Sequence, residues 1–154
     1  MTHHATSDQP DIPLPKTSNL DVIVLPSEIT ELGIALYEGT MVTSVKELKE
    51  LGVKAEFANP PSERAWITQE SLAGEGINIV VGILSAGGWD AIKALVLRRT
   101  NGHVRARIFS GSITKDGIQW NYFSANGTGE AVGAQIDAYL GSGEASKTSD
   151  EERK

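Results

Sequence analysis

Cysteine is absent from the 154 residues. That excludes disulfides, thiolate metal sites and a thiol nucleophile, and it suits a cytoplasmic protein. Long apolar runs are missing as well. The longest, Ile77 to Leu84 with Asn78 inside it, falls far short of the ~20 residues that cross a bilayer, so no membrane association is expected. The N-terminus, MTHHATSDQPDIPLPK, lacks a basic segment followed by an apolar one, so no secretion signal is expected either. Asn126-Gly127-Thr128 is then read as a turn before a helix and not as a glycosylation site. Histidine is scarce: His3 and His4 lie near the start, and only His103 falls in the body of the chain. With no G-x-S-x-G elbow and one body histidine, neither a catalytic triad nor a metal-ligand spacing is present. No cofactor is implied. Positive charge is outnumbered, with 14 Lys and Arg against 20 Asp and Glu, and the net charge of −6 disfavours nucleic-acid binding.

What is present suits one α+β domain. Residues 1–19 are polar and proline-rich (Pro10, Pro13, Pro15) and are expected to form a disordered leader. Residues 141–154, GSGEASKTSDEERK, read as a flexible charged tail, leaving 20–140 as the folded body. LDVIVL, Leu20 to Leu25, is a short central strand with apolar groups on both faces. After Pro26, Ser27 can cap a short helix with Ile29, Leu32 and Leu36 on one side; the alternative is a hairpin through Glu38-Gly39. Ser44-Val45-Lys46-Glu47 is a capping-box pattern that opens a helix ending at Gly52. Val53-Lys-Ala-Glu-Phe57 alternates as a half-exposed strand, and Asn59-Pro60-Pro61 makes an extended link.

INIVVGIL, Ile77 to Leu84, leans to strand by its β-branched residues but is short enough to be a buried helix. Ala91, Ile92, Leu95 and Val96 form the apolar stripe of the helix that follows. Val104, Ala106 and Ile108 alternate with Arg105, Arg107 and Phe109. Ile118, Trp120 and Tyr122 alternate with Gln119, Asn121 and Phe123. A three-residue turn, Lys115-Asp116-Gly117, would pair Ile108 with Ser124 and set Ile108, Trp120 and Tyr122 on one face. Thr128 caps a last helix with Val132, Ile136, Tyr139 and Leu140 on its inner face. The expected architecture is a two-layer sandwich: a small mixed or antiparallel sheet with helices on one face.

The segments LDVIVL, VKAEFANPPSE and INIVVGILSAGGWDAIKALVLRR, then HVRARIF, Asp116-Gly117, a further strand and a terminal helix, resemble the effector-associated constant component family. These are small domains that accompany peptidases and other effectors in bacterial conflict systems. The chain departs from that pattern by extra residues between its first strand and the Ser44 helix, and by Asn78 and β-branched residues where the family has a leucine- and alanine-rich helix. The resemblance implies a helix over 77–84, a helix–helix junction at Gly87-Gly88, and an adaptor role without chemistry.

The glycine pair invites comparison with a phosphate cradle. A P-loop needs Gly-Lys-Ser/Thr at its end, whereas Gly88 is followed by Trp89-Asp90, and no third glycine completes a dinucleotide fingerprint. The pair is therefore read as a packing junction. A ligand-binding module using Gly87, Gly88, Arg98 and Arg99 is the alternative function. A carboxylate-based enzyme using Glu70, Glu75 and Asp90 has no specific support. The leading expectation is a non-enzymatic protein-interaction or adaptor domain, binding a protein partner or a second copy of itself. Its contact residues would be Arg105, Arg107, Phe109, Asn121 and Phe123, gathered on an open sheet face where aromatics beside arginine make interface hot spots.

Overall fold

A computed structural model describes residues 9–67, 76–99 and 102–142. In chain order the elements are β1 (Val22–Val24), β2 (Glu28–Ile29), β3 (Ala35–Glu38), α1 (Met41–Glu50), β4 (Ala55–Phe57), a 3-10 turn (Pro61–Glu63), β5 (Arg64–Ile67), β6 (Gly76–Ile83), α2 (Ala86–Leu97), β7 (His103–Thr114), β8 (Gly117–Thr128) and α3 (Gly129–Ser142). The fold is α+β, with two mixed sheets where one was expected. The larger has the order β4-β1-β6-β7-β8, and the smaller β2-β3-β5.

INIVVGIL is a strand. As β6 it is the central strand of the large sheet, antiparallel to β1 and parallel to β7. Ile77, Ile79, Val81 and Ile83 enter one core and Val80 another, so both faces are apolar and β-branching prevails. The helix implied by the family resemblance is not formed, and Gly87-Gly88 sits at a strand–helix junction. Neither reading of residues 27–38 holds. They form the β2–β3 hairpin, turning at Gly33 in the left-handed region (φ 87°) and braced by the Ile34 N–H donating to Thr30 Oγ1 at 3.1 Å. Helix α1 starts at Met41, a turn earlier than the capping-box pattern suggests. Ser44 is buried inside it and donates to the Thr40 carbonyl at 3.2 Å. The chain leaves β3 through Gly39 directly into the helix, so no cap is needed at Ser44.

All three helices cover one face of the large sheet. Met41, Val45 and Leu48 of α1, Ile92, Leu95 and Val96 of α2, and Val132 and Ile136 of α3 meet Val22, Val24, Ile79, Val104 and Ile108 in a single core. The N-cap of α2 is Ser85, whose Oγ accepts the Gly88 N–H at 3.0 Å. A Cβ at Gly88 would lie 2.7 Å from the Asp21 carbonyl and 3.0 Å from Ile83 Cγ2, whereas at Gly87 nothing comes closer than 3.9 Å. The packing reading of the glycine pair thus belongs to Gly88. Trp89 packs against Phe123 and Tyr139, away from the glycines.

The opposite, outer face holds a second core of Ile23, Leu25, Val80 and Phe109. Residues 9–19, assigned above to a disordered leader, lie over it: Pro10 is buried, and Ile12 and Leu14 pack onto the cluster. Residues 1–8 and the tail from 143 onward lie outside the described residues, and Gly141 and Ser142 still belong to α3.

Gly88→Ala should lower stability by about 1–3 kcal/mol through overpacking, while Gly87→Ala should change it by less than about 0.5 kcal/mol; urea melts of both variants decide this. Asp21 supplies a pH prediction. Its carboxylate accepts the Lys54 N–H at 2.9 Å, and this bond, with further help from the Ser85 hydroxyl, holds its pKa below the usual carboxylate value. The contribution is complete above the unfolded pKa near 4 and is lost as pH falls through the lowered folded value. Asp21→Asn should therefore flatten the fall in stability between about pH 5 and pH 3, measured by denaturant melts across that range.

Candidate interaction surfaces

The β7–β8 hairpin determines where the proposed contact residues point. Its turn has two residues, Lys115 and Asp116, closed by the pair Thr114–Gly117. Thr114 Oγ1 donates to the Gly117 carbonyl at 2.9 Å and accepts the Asp116 N–H at 3.2 Å, and Gly117 supplies the positive φ of 124°. Ile108 consequently faces Phe123 and not Ser124, and Trp120 faces Gly111 and not Ser112. This is one residue away from the expected pairing, so every β8 side chain changes face.

The five-residue patch is divided as a result. Arg105, Arg107 and Phe109 lie on the outer face. Asn121 and Phe123 lie on the helix face, where Phe123 stacks on Tyr139 at 4.5 Å between ring centroids. Phe109 is not open for contact: it is 2% exposed, packed 5.0 Å from the Tyr122 ring beneath the proline-rich segment. An apolar cover over Phe109 supplied by residues 9–19, and the helices over Phe123, therefore overturn the expectation that these aromatics share an open face. Arg105 remains accessible beside a polar hollow of about 640 Å³ lined by Asn78, His103, Ser124, Asn126 and Gln135. Arg107 is half-buried on the same face.

The alternative ligand site is not assembled. Gly87-Gly88 begins α2, and Arg98 and Arg99 follow its far end, ~18 Å away at 1.5 Å per residue. Arg98 pairs with Glu47 at 3.1 Å, and the Arg99 carbonyl accepts the N–H groups of Gly102 and Gly129. For the carboxylate reading, Asp90 is exposed on α2, while Glu70 and Glu75 lie outside the described residues. His103 is exposed at the start of β7. Among the described residues no group of three His, Asp or Glu could hold a metal, and no helix is long and apolar enough to cross a membrane.

Sequence reasoning missed three features. The first is Trp120. Its ring lies over Gly82 and Gly111, where added Cβ atoms would come within 3.0 and 2.8 Å of it, and its Nε1 donates to the Pro15 carbonyl at 3.1 Å. The glycines at 82 and 111 were the available signal, since an interior strand glycine often marks close approach. The second is an aromatic group at the small sheet. Tyr37, Phe57 and Trp66 meet edge-on or tilted at 5.1 to 5.8 Å, with the Arg64 guanidinium 4.3 Å above Phe57. Nearby, buried Glu38 accepts from Ser27 Oγ at 2.7 Å and Asn78 Nδ2 at 3.3 Å, tying the small sheet to β6.

The third is the outer edge of β8. Ile118 donates its N–H away from β7, to the Lys16 carbonyl at 3.1 Å. By the two-residue alternation of an antiparallel ladder, the N–H and C=O groups of Trp120, Tyr122, Ser124 and Asn126 point the same way. At Ser124 and Asn126 no other described residue bonds these outward backbone groups. The strand runs for 12 residues, GIQWNYFSANGT, with no charge and no proline.

Comparison with models of known families, with curated proteins and with solved structures finds no match.

Phe109→Ala should cost about 3–5 kcal/mol of stability, as expected for a large buried ring. The folded fraction of that variant should keep the wild-type oligomeric state in light scattering, because the ring is buried against the chain's own residues.

Proposed function

We propose that this chain is a protein-interaction domain that self-associates through the outer edge of β8 at Ser124 and Asn126. The observation that carries this is the neutrality of the strand that bears that edge. Exposed strand edges are templates for pairing, and proteins guard them with charge, proline or brevity. The opposite edge of the same sheet is guarded in this way: β4 has three residues, and its Glu56 pairs with Lys49 at 3.4 Å. The 12 residues of β8 itself include no charge and no proline. At a net charge of −6 two copies repel at long range, so an uncharged strand is where they can approach most closely. Antiparallel pairing of two β8 strands about a two-fold axis is isologous and leaves neither edge open.

Ser124→Pro removes an N–H that points away from β7, so the hairpin ladder is left intact. Ser124→Lys places a charge at the centre of the edge. The expected outcome in size-exclusion chromatography with light scattering is a wild-type dimer and monomeric variants with unchanged circular dichroism. A wild-type chain that stays monomeric at millimolar concentration, or folded variants that stay dimeric, would overturn the proposal.

A further inference from the structure

The segment over the outer face has the form of a bound ligand. Pro10, Pro13 and Pro15 fix their own φ near −65° and push Gln9, Ile12 and Leu14 into extended conformations. Residues 9–15 therefore form an extended, polyproline-like ribbon that cannot join a sheet ladder at its prolines. Its attachment uses other means. Ile12 and Leu14 pack onto the cluster containing Phe109, Trp120 and Tyr122. The Trp120 indole donates to the Pro15 carbonyl, and the Ile118 N–H to the Lys16 carbonyl. An indole N–H aimed at a carbonyl beside proline, with aliphatic side chains in an aromatic-lined groove, is the chemistry by which polyproline ribbons are recognised.

The groove also shows that it was shaped around this contact. Gly82 and Gly111 leave the space in which the Trp120 ring lies against the sheet, with its N–H turned to the ribbon. The ribbon does not fill the groove. A cleft of about 350 Å³ remains between Pro13, Leu14 and Pro15 on one side and Ile23, Pro26, Ile29 and Phe57 on the other. Incomplete filling and, among the described residues, two hydrogen bonds to the sheet describe a contact that can open without unfolding the sheet beneath.

We propose that the outer face is a docking groove for extended peptides of alternating proline and aliphatic residues, occupied in this structure by the chain's own residues 9–16. The tethered segment competes at high effective concentration, so a partner peptide must displace it or bind when it is released. This proposal rests on the groove, whereas dimerisation rests on the β8 edge, so either can fail while the other stands.

Two experiments on the full chain test it. In the wild type, the Trp120 indole proton, assigned by its loss in Trp120→Phe, should exchange at least 100-fold faster than the Val80 amide in the central strand. Exchange of both protons at one common rate would make the segment a permanent part of the core and overturn the proposal. In the second, the double variant Ile12→Asp/Leu14→Asp releases the tethered segment, and a fluorescein-labelled peptide, QPDIPLPKTSN, is added in trans. It should bind at least tenfold more tightly than the same peptide with its prolines replaced by alanine, and at least tenfold more tightly than to the variant also carrying Trp120→Phe. If the double variant does not fold alone, the added peptide should restore its circular dichroism and a cooperative melt. Failure of the folded variant to bind the peptide, or of the unfolded variant to be rescued by it, would overturn the proposal.

Discussion

The two-residue turn at Lys115 and Asp116 is the constraint on which the arrangement of both faces depends. It fixes the pairing of two 12-residue strands, and side-chain direction in a strand has a period of two. Once Thr114 faces Gly117, Phe123 must join the helix-side core with Ile108, and Trp120 and Tyr122 must join Phe109 on the other side. The aromatic stack of Phe123, Tyr139 and Trp89 then ties β8 to α2 and α3, and the indole of Trp120 becomes available to the N-terminal segment. A shift of one residue would turn Ser124 towards the helices and take Phe123 out of its stack on Tyr139.

That pairing produces a sheet with apolar residues on both faces, and each face needs a cover. The helices supply one. Their packing is close enough that Gly88 has no room for a Cβ beside the Asp21 carbonyl. The other cover is the proline-rich segment, whose Ile12 and Leu14 pack on the outer cluster. It packs on the end of the face around Ile23, Leu25, Val80 and Phe109. Further along, Asn78, Arg105, Ser124 and Asn126 line a polar hollow. Among the described residues the outer face is thus divided along its length into an apolar end under the ribbon and a polar end.

Much of the fold was legible because its signals are local. The alternation in Val104–Phe109 and Ile118–Phe123, the apolar stripe of α2 and the Thr128 cap, whose Oγ1 accepts the Ala131 N–H at 3.1 Å, all act within a few residues. The interaction patch was not legible, because it depended on register, and β8 is apolar on both sides. Trp120 and Tyr122 fit an inner face as well as Phe123 does. The choice between them is made by the turn and by Gly111, which leaves room for the indole. The role of the leader was hidden for a different reason. Its composition is that of a disordered segment, and its order comes from a groove formed by residues about a hundred positions away. The β2–β3 hairpin was missed because strands of two and four residues carry too little periodicity to outweigh a helix-like spacing.

The ribbon and the open edge meet at one place. The Lys16 carbonyl takes the outward N–H of Ile118, the first such position on β8, and the Pro15 carbonyl takes the indole N–H of Trp120, the side chain of the next. The segment thereby closes the turn end of the edge, and the strand runs on past Tyr122 to Ser124 and Asn126. A strand added to β8 there meets the side chains of Phe123, Ser124, Ala125 and Asn126, none charged. Two adjacent outward positions of β8, one by its backbone and one by its side chain, thus hold two adjacent carbonyls of the ribbon, and this fixes where along the strand the ribbon ends.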